Sequence, residues 1–373
     1  MRIGIDARLI SQTGVGRYIR NLIASIKLLD YENEYFIYLR SQEFDKFELP
    51  SKLWNKRLLN IPWHSFAEQI KVPFQLLIDK LDLVHFPYFN IPIFYPQKYL
   101  LTVHDLIIDH FDTGKATTLP KPFYKLKRFG YRLITSLGIQ KSVAIATISN
   151  TTKQELLDHY RVNPNKITIT YDSLDLHFLD TQKRFRPKRL FPFNYILYVG
   201  NAYPHKNLER LIQSMKNISR TKNKLVLAGD DEFFYPRIMK YAKLLGLNKE
   251  IVYFGNANDR ELVNLYSFAK CLVFPSLMEG FGLPNLEALA CNCLPVISDI
   301  PVFREIWSNE LNYFNALDIN DMSSKIFTVL NLSKQAYQKK VLSAKKRLSD
   351  FSWRTTALQT LEIYKKYAPS NRL

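Results

Sequence analysis

The sequence has few cysteines and lacks the patterns that usually bind a transition metal. Its three cysteines, Cys271, Cys291 and Cys293, are too few and too unevenly spaced for a disulfide framework or a zinc ribbon. None of its seven histidines lies in an H-x-H or H-E-x-x-H pattern, and no Asp-x-Asp occurs. We therefore expect a reduced protein with no cofactor, and with neither a histidine-bound metal nor a magnesium–diphosphate site.

Long apolar stretches are also absent. No run approaches the ~18 residues that a membrane-spanning helix requires. The opening MRIGIDARL resembles a strand rather than a secretory leader. These absences predict a cytoplasmic protein without a transmembrane anchor.

What the sequence does contain is an excess of positive charge. Its 52 lysines and arginines outnumber 34 aspartates and glutamates, which gives a formal net charge of +18. Much of the excess lies in KRFRPKR (183–189) and QKKVLSAKKR (338–347). Such a field would suit nucleic acid, an anionic membrane or a phosphorylated substrate, and a plain solvated surface is the alternative.

The hydrophobic pattern predicts two doubly wound α/β domains. Short apolar runs such as YILYVG alternate with amphipathic stretches such as HKNLERLIQSMKNI, which is typical of parallel sheets covered by helices. We place an N-terminal domain at 1–178 and a C-terminal domain at 190–350, with the aperiodic stretch 176–194 between them. The terminal segment 351–373 begins with a helix that Ser352 caps.

In open parallel sheets, ligands bind at the carboxyl ends of strands, so the loops after strands are the candidate sites. Gly14 and Gly16 precede a helix and could bring backbone N–H groups close to a phosphate, although a simple tight turn is as well supported. His104 and Asp105 follow the run YLLTV, where they could move a proton, and a structural histidine is the alternative.

A second loop follows YILYV and carries Gly200, Asn201 and Lys206. The next helix is expected to begin at about Asn207. A lysine at a helix start is repelled by the helix dipole unless an anion lies between them. This loop is therefore a candidate anion site.

The stretch PSLMEGFGLPNLEALA (275–290) is the most informative loop. Gly280 and Gly282 would let the backbone approach a ligand, and the amides at the following helix start could hold a diphosphate. Glu287, about one turn into that helix, could accept two hydrogen bonds from a ribose, while Glu279 lies across the turn. Helix capping is the alternative, but it does not explain the two glycines.

These residues resemble family 4 glycosyltransferases. The similarity is carried by EGFGLPNLE, YVGNAYPHKNLERLI, VHD, TGVGRY and the terminal FSW helix. It spans nearly the whole chain and is most specific from residue 195 to 305. The resemblance implies a retaining, nucleotide-sugar-dependent enzyme of the GT-B architecture. Two Rossmann-like domains would face a cleft, and the last helix would return to the first domain.

The resemblance also implies roles for individual residues. Glu287 would bind the ribose, and Glu279 the donor sugar or the reacting centre. Lys206 and amides at the bend would hold the diphosphate without a metal. The implied catalytic residues are His104, Asp105 and Glu279, and the implied donor-binding residues are Gly14, Gly16, Gly200, Asn201, Lys206, Gly280, Phe281, Gly282, Leu283 and Glu287.

Two departures from the family pattern stand out. Many members have an arginine where this chain has Asn201, which leaves Lys206 as the evident cation for the diphosphate. The usual N-G turn before the linker is replaced by the residues 171–174, YDSL.

The implied reaction moves a hexose from GDP-mannose or a UDP-sugar to a saccharide or lipid-linked acceptor in the synthesis of a cell-envelope, capsular or O-antigen polysaccharide. The segment KPFYKLKRFGYRLITSL (121–137) interleaves basic and aromatic residues, as a helix on the anionic inner membrane surface would. An ordinary surface helix is the alternative.

Three other functions remain open. A nucleotide-sugar epimerase shares the architecture, and a non-catalytic binding module would tolerate Asn201. A basic nucleic-acid-binding protein fits the charge but not EGFGLPNLE, so no nucleic-acid partner is expected.

Overall fold

The computed structural model describes residues 1–63, 65–89, 91–111, 121–218 and 221–368, without the side chains of residues 121–128. These residues fold into two compact units. Unit 1 comprises residues 1–106, 121–172 and 352–368, and unit 2 comprises 107–111 and the described part of 173–351. Among the described residues, no helix is long and apolar enough to cross a membrane.

Unit 1 contains a sheet of seven parallel strands. They are β1 (Arg2–Asp6), β2 (Glu34–Leu39), β3 (Trp54–Leu58), β4 (Leu83–Phe86), β5 (Tyr99–Val103), β6 (Ala144–Thr147) and β7 (Ile167–Ile169). The spatial order is β3-β2-β1-β4-β5-β6-β7. The chain therefore winds outward from β1 in one direction and returns to start again from β4, as in a doubly wound fold.

Unit 2 contains a second parallel sheet of six strands. They are β8 (Tyr195–Val199), β9 (Lys224–Ala228), β10 (Ile251–Gly255), β11 (Leu272–Phe274), β12 (Pro295–Ser298) and β13 (Asn312–Phe314). The order β10-β9-β8-β11-β12-β13 repeats the winding of unit 1. Since β8 and β11 are neighbours, the loops that follow them leave the same edge of the sheet.

Helices connect these strands. In chain order they are α1 (Gly14–Ile26), α2 (Ser41–Phe44), α3 (Phe66–Ile78), α4 (Ile107–His110), α5 (Lys121–Lys141), α6 (Asn150–Tyr160), α7 (Leu176–Arg184), α8 (Leu208–Ile218), α9 (Phe234–Leu244), α10 (Asp259–Phe268), α11 (Leu283–Ala290), α12 (Pro301–Trp307), α13 (Ile319–Leu330), α14 (Lys334–Lys346) and α15 (Trp353–Tyr367).

The terminal helix α15 belongs to unit 1, which confirms the predicted return. Ser352 caps it by accepting a hydrogen bond from the Thr355 backbone N–H at 3.1 Å. Ala357 and Tyr364 are fully buried on its inner stripe. The Tyr364 hydroxyl lies 2.7 Å from Nδ1 of His85 at the end of β4. A packed stripe and a buried hydrogen bond therefore attach the end of the chain to the first sheet.

The stretch 176–194, which shows no periodicity in the sequence, is helical in its first half. Residues 176–184 form α7, and Asp175 caps this helix by accepting from the backbone N–H groups of His177 and Phe178. Phe178 is the one fully buried residue of the helix, and its ring lies 6.2 Å from that of Tyr266. A short helix with one buried anchor shows no repeating hydrophobic pattern.

A buried ion triad follows β1 in unit 1. Arg8 Nη2 lies 2.6 Å from Asp6 Oδ2 and 2.7 Å from Glu68 Oε1, and all three side chains are almost completely buried. The guanidinium thereby joins the end of β1 to the start of α3. Buried charges are tolerated only when they are paired in this way.

We predict that Arg8→Met strongly destabilises unit 1, because it removes the guanidinium that two buried carboxylates share. Loss of one partner of a buried ion pair typically costs about 3–5 kcal/mol. The free energy of unfolding, measured by urea denaturation, checks this. As a control, Arg184→Met breaks an exposed pair with Asp180, and we expect less than about 1 kcal/mol. Equal effects of the two variants would contradict the prediction.

Candidate functional site

The first site loop leaves β8 through Gly200 and enters α8 through Asn207. Gly200 has φ +147°, a backbone conformation that favours glycine. Asn207 has φ +59°, which asparagine tolerates better than most residues. The Asn207 amide donates to the carbonyls of Pro275 at 3.1 Å and Ala316 at 2.8 Å. This side chain therefore fixes the first loop against the end of β11.

The second site loop runs from the end of β11 into α11. At Gly282 the backbone has φ +89°, and an added β carbon would lie 2.7 Å from the Phe303 ring. Only glycine fits both conditions. Phe281 is buried, with its ring 5.3 Å from that of Phe351. The bend before α11 is thus held by a glycine and by an aromatic anchor.

Lys206 and Glu279 are brought together from the two loops. The Lys206 ammonium lies 2.5 Å from Glu279 Oε1, and the side chains are only 13% and 9% exposed. The same ammonium lies 5.5 Å from the centre of the Phe274 ring. The sequence predicted an anion beside this lysine, and in the described structure Glu279 itself occupies that position.

Glu287 has a different partner. It lies on α11 and is buried, and its Oε2 accepts a hydrogen bond from the Tyr266 hydroxyl at 2.9 Å. Tyr266 comes from α10, so the orientation of this carboxylate is set by a helix distant in sequence. The two glutamates therefore do not act as a mutually bonded pair.

The remaining predicted residues of unit 2 line the same two loops. Asn201 lies in the first loop, where its carbonyl accepts from the Tyr198 hydroxyl at 2.6 Å. Gly280 and Leu283 lie in the second loop, on either side of the Phe281–Gly282 bend. Their roles toward a donor stay predictions.

In unit 1, His104 follows β5 as expected. Its Nε2 donates to the Pro87 carbonyl at 2.9 Å, and its ring stands edge-on to Tyr18 with centroids 4.8 Å apart. Burial lowers the pKa of His104 to about 4. The ring is therefore neutral at pH 7 and held in one tautomer. Asp105, which follows it, is partly buried.

Gly14 and Gly16 also belong to unit 1, at the start of α1. A β carbon on Gly16 would lie 2.5 Å from the Ile10 carbonyl oxygen, whereas one on Gly14 would meet nothing within 4 Å. Gly16 thus permits a close approach between the helix and the preceding loop. Their action on a donor, like that of His104, stays a prediction.

Sequence reasoning missed three residues of this site. Tyr266 gave no signal, because its contact with Glu287 joins α10 to α11. Phe274 was assigned only to a strand, although its ring lies beneath Lys206. Asn207 was taken as a helix start, and the HKN sequence gives no hint of its two cross-loop hydrogen bonds.

The structure also brings together three potential metal ligands elsewhere in unit 2, namely Asp175, His177 and Asp259. The Asp175 carboxylate caps α7, and His177 Nδ1 lies 2.6 Å from Asp259 Oδ2. The three side chains therefore lie together because one of them caps a helix and the other two form a hydrogen-bonded pair at the surface.

Two family models match consecutive parts of the chain and do not overlap. Residues 12–178 match the model described as Glycosyltransferase Family 4, and residues 181–340 match Glycosyl transferases group 1. The chain belongs to this glycosyltransferase family. The resemblance inferred from the sequence motifs is thereby confirmed.

Individual relatives of this glycosyltransferase are mannosyltransferases by name. The O-antigen chain mannosyltransferase RfbU of Salmonella typhimurium is 27% identical over 280 residues, or 74% of this chain and 72% of RfbU. The serotype-specific mannosyltransferase WbdA of Escherichia coli is 26% identical over 244 residues, or 62% of this chain and 30% of WbdA. The chain thus matches less than a third of WbdA.

Solved structures confirm the predicted two-domain α/β fold. Anabaena HepE, crystallised with UDP and glucose, matches with a TM-score of 0.73 at 13% identity, covering 98% of this chain and 100% of HepE. At that identity the likeness concerns the fold alone. The epimerase alternative receives no support from these comparisons.

We predict that unit 1 loses stability as the pH falls from 7 to 5.5. Burial lowers the pKa of His85 to about 3 and that of His104 to about 4. The unfolded chain takes up these protons near pH 6.5 and the folded chain does not. The free energy of unfolding therefore falls by roughly 1.4 kcal/mol per histidine for each pH unit below 6.5.

Urea denaturation across this pH range measures the slope. His104→Gln keeps a donor for the Pro87 carbonyl and should make the slope shallower. A slope that His104→Gln does not alter would show that this histidine is not held neutral.

Proposed function

We propose that this glycosyltransferase moves a hexose, with retention of anomeric configuration, from a nucleotide-diphospho-sugar to a saccharide or lipid-linked acceptor in cell-envelope polysaccharide synthesis. The observation that carries the proposal is the largely buried Lys206–Glu279 pair beside the start of α11. GDP-mannose is the preferred donor, because RfbU and WbdA are named mannosyltransferases. A UDP-sugar is the second candidate, because HepE was crystallised with UDP.

Lys206 is suited to a leaving diphosphate. Its ammonium is mostly shielded from water, so its attraction to a phosphate is screened less than that of a surface lysine. The first-turn amides of α11 follow the Gly282 bend and add the positive end of a helix dipole. Together they would stabilise the negative charge that develops as the glycosidic bond breaks. No metal is required for this step.

Glu279 would change partner when the donor binds. Without a ligand, its carboxylate neutralises Lys206 at 2.5 Å. A diphosphate carries more negative charge and would take over the ammonium, which releases Glu279 toward the hydroxyls of the transferred sugar. In this proposal the glutamate pairs with the lysine before the donor binds, and it positions the sugar afterwards.

Glu287 would bind the ribose. Its carboxylate is buried, and the Tyr266 hydroxyl fixes its orientation. A fixed carboxylate can accept from two neighbouring hydroxyls with little loss of side-chain entropy. In this proposal the nucleoside lies at α11 and the sugar on the Glu279 side of the bend.

The donor class is tested by thermal shift with GDP-, UDP- and ADP-sugars. A ligand at 100 times its dissociation constant stabilises the folded state by about 2.7 kcal/mol, which is several degrees. We expect the largest shift with GDP-mannose, retained in the presence of EDTA. No shift with any nucleotide sugar would refute the proposal. NMR of the donor incubated alone would expose an epimerase by an isomerised sugar.

We predict that Glu287→Gln weakens nucleotide binding at least tenfold. A hydrogen bond to a charged group contributes about 1.5–3 kcal/mol, and the neutral amide accepts more weakly. Tyr266→Phe should cause a smaller loss, because the carboxylate stays but is less well oriented. Titration calorimetry with GDP and UDP measures both. Glu209→Gln, on the exposed face of α8, is the matched control and should bind normally.

A further inference from the structure

Helix α3 of unit 1 carries an apolar stripe that is exposed among the described residues. Phe66, Ile70, Phe74 and Ile78 follow one another at intervals of four residues, so they share one side of the helix. Phe66 is 83% exposed, Phe74 68% and Ile78 70%. Single exposed apolar residues are ordinary, but a contiguous row of large ones marks a binding surface.

The opposite side of α3 accounts for its packing. Val72 and Leu76 are fully buried in the core of unit 1. Glu68 pairs inward with Arg8 at 2.7 Å, and Asp79 at the helix end pairs with Arg57 at 2.8 Å. Both carboxylates of the segment therefore face the protein.

The charges left on the outer side are all positive. Within the described segment 66–80, the exposed charged residues are Lys71 and Lys80, and neither acidic residue is exposed. Apolar side chains flanked by lysines, with the acids turned inward, are typical of a helix that lies in a membrane interface. At 1.5 Å per residue, a helix of this length would lie along about 20 Å of the surface.

A neighbouring loop extends the same surface. Gln69 of α3 donates to the Ile91 carbonyl at 3.1 Å and accepts from the Ile93 N–H at 2.9 Å, so the loop is fixed beside the helix. Phe94, the next residue, is 64% exposed. Lys141 at the end of α5 bonds the Ile93 carbonyl at 3.1 Å and adds a further cation.

We propose that the α3 face, defined as Phe66, Ile70, Lys71, Phe74 and Ile78, docks this enzyme on an anionic phospholipid surface. The proposal rests on the membrane-bound acceptor suggested above. A second copy of the chain is the less suitable occupant. If two α3 faces packed against each other, the lysines of both copies would lie close together. They would repel each other, because α3 has no exposed carboxylate to pair with them.

The sequence suggested helix α5 for the membrane contact, and only part of that helix is described with its side chains. The helix itself is present, but the side chains of residues 121–128 lie outside the described residues. Of the remainder, Phe129 and Leu133 are exposed. The α3 face is therefore the better-supported contact.

Vesicle flotation of the full chain tests the docking. We expect it to float with vesicles of phosphatidylglycerol and phosphatidylethanolamine, and much less with phosphatidylcholine. The double variant Phe66→Ser/Phe74→Ser should bind the anionic vesicles at least tenfold more weakly, and Lys71→Glu several-fold more weakly. The control Leu244→Ser/Leu342→Ser removes two equally exposed leucines of unit 2 and should bind like the wild type.

Three results would overturn the proposal: no flotation of the wild type, equal flotation of the α3 double variant, or a dimer in sedimentation velocity that the double variant dissociates. Thermal unfolding should be unchanged in the double variant, because both side chains are exposed. The thermal shift with GDP-mannose separates this proposal from the function. A double variant that no longer floats but keeps the thermal shift with GDP-mannose supports docking. A wild type that floats but shows no thermal shift contradicts only the proposed donor.

Discussion

The ion pair between Lys206 and Glu279 is the contact on which the site of unit 2 depends. The two residues are 73 positions apart. They meet because β8 and β11 are adjacent parallel strands, so the loops that follow them leave one edge of the sheet. Asn207 adds two hydrogen bonds between those loops, and Gly282 provides the backbone turn before α11. Lys206, which we propose binds the diphosphate, is thereby fixed beside a helix start and paired with a carboxylate from the neighbouring loop.

The two glutamates of EGFGLPNLE are distinguished by their partners rather than by their spacing. Glu279 lies against a lysine from the neighbouring loop, whereas Glu287 lies against a tyrosine hydroxyl from α10. A general acid and base working on one proton would need to share an environment. These two carboxylates are held separately, on either side of the bend at Gly282. The proposed binding of the sugar by Glu279 and of the ribose by Glu287 follows from that separation.

Much of the fold could be predicted, because buried parallel strands are short apolar runs and helices carry their own capping residues. The capped terminal helix, with Ala357 and Tyr364 on its buried stripe, was read correctly from its pattern. Helix α7 was not, since it has one buried anchor and its stability comes from the Asp175 cap and the contact with Tyr266. The α3 face was also missed. Its pattern is apolar on both sides, and only the packing shows which side is left exposed.

The sequence by itself determined the family, the two series of strands and the residue types at the candidate site. Glycine, lysine and glutamate at fixed places in a strand-to-helix loop are compatible with few kinds of chemistry. Tertiary structure decided which groups meet. It paired Lys206 with Glu279 and Glu287 with Tyr266. It also turned Glu68 of α3 and the following Asp79 inward, while the phenylalanines of the helix stayed exposed. The physical reason is that backbone conformation and hydrophobic periodicity are local in the chain. Ion pairs and side-chain hydrogen bonds depend instead on strand order, which brings distant segments together.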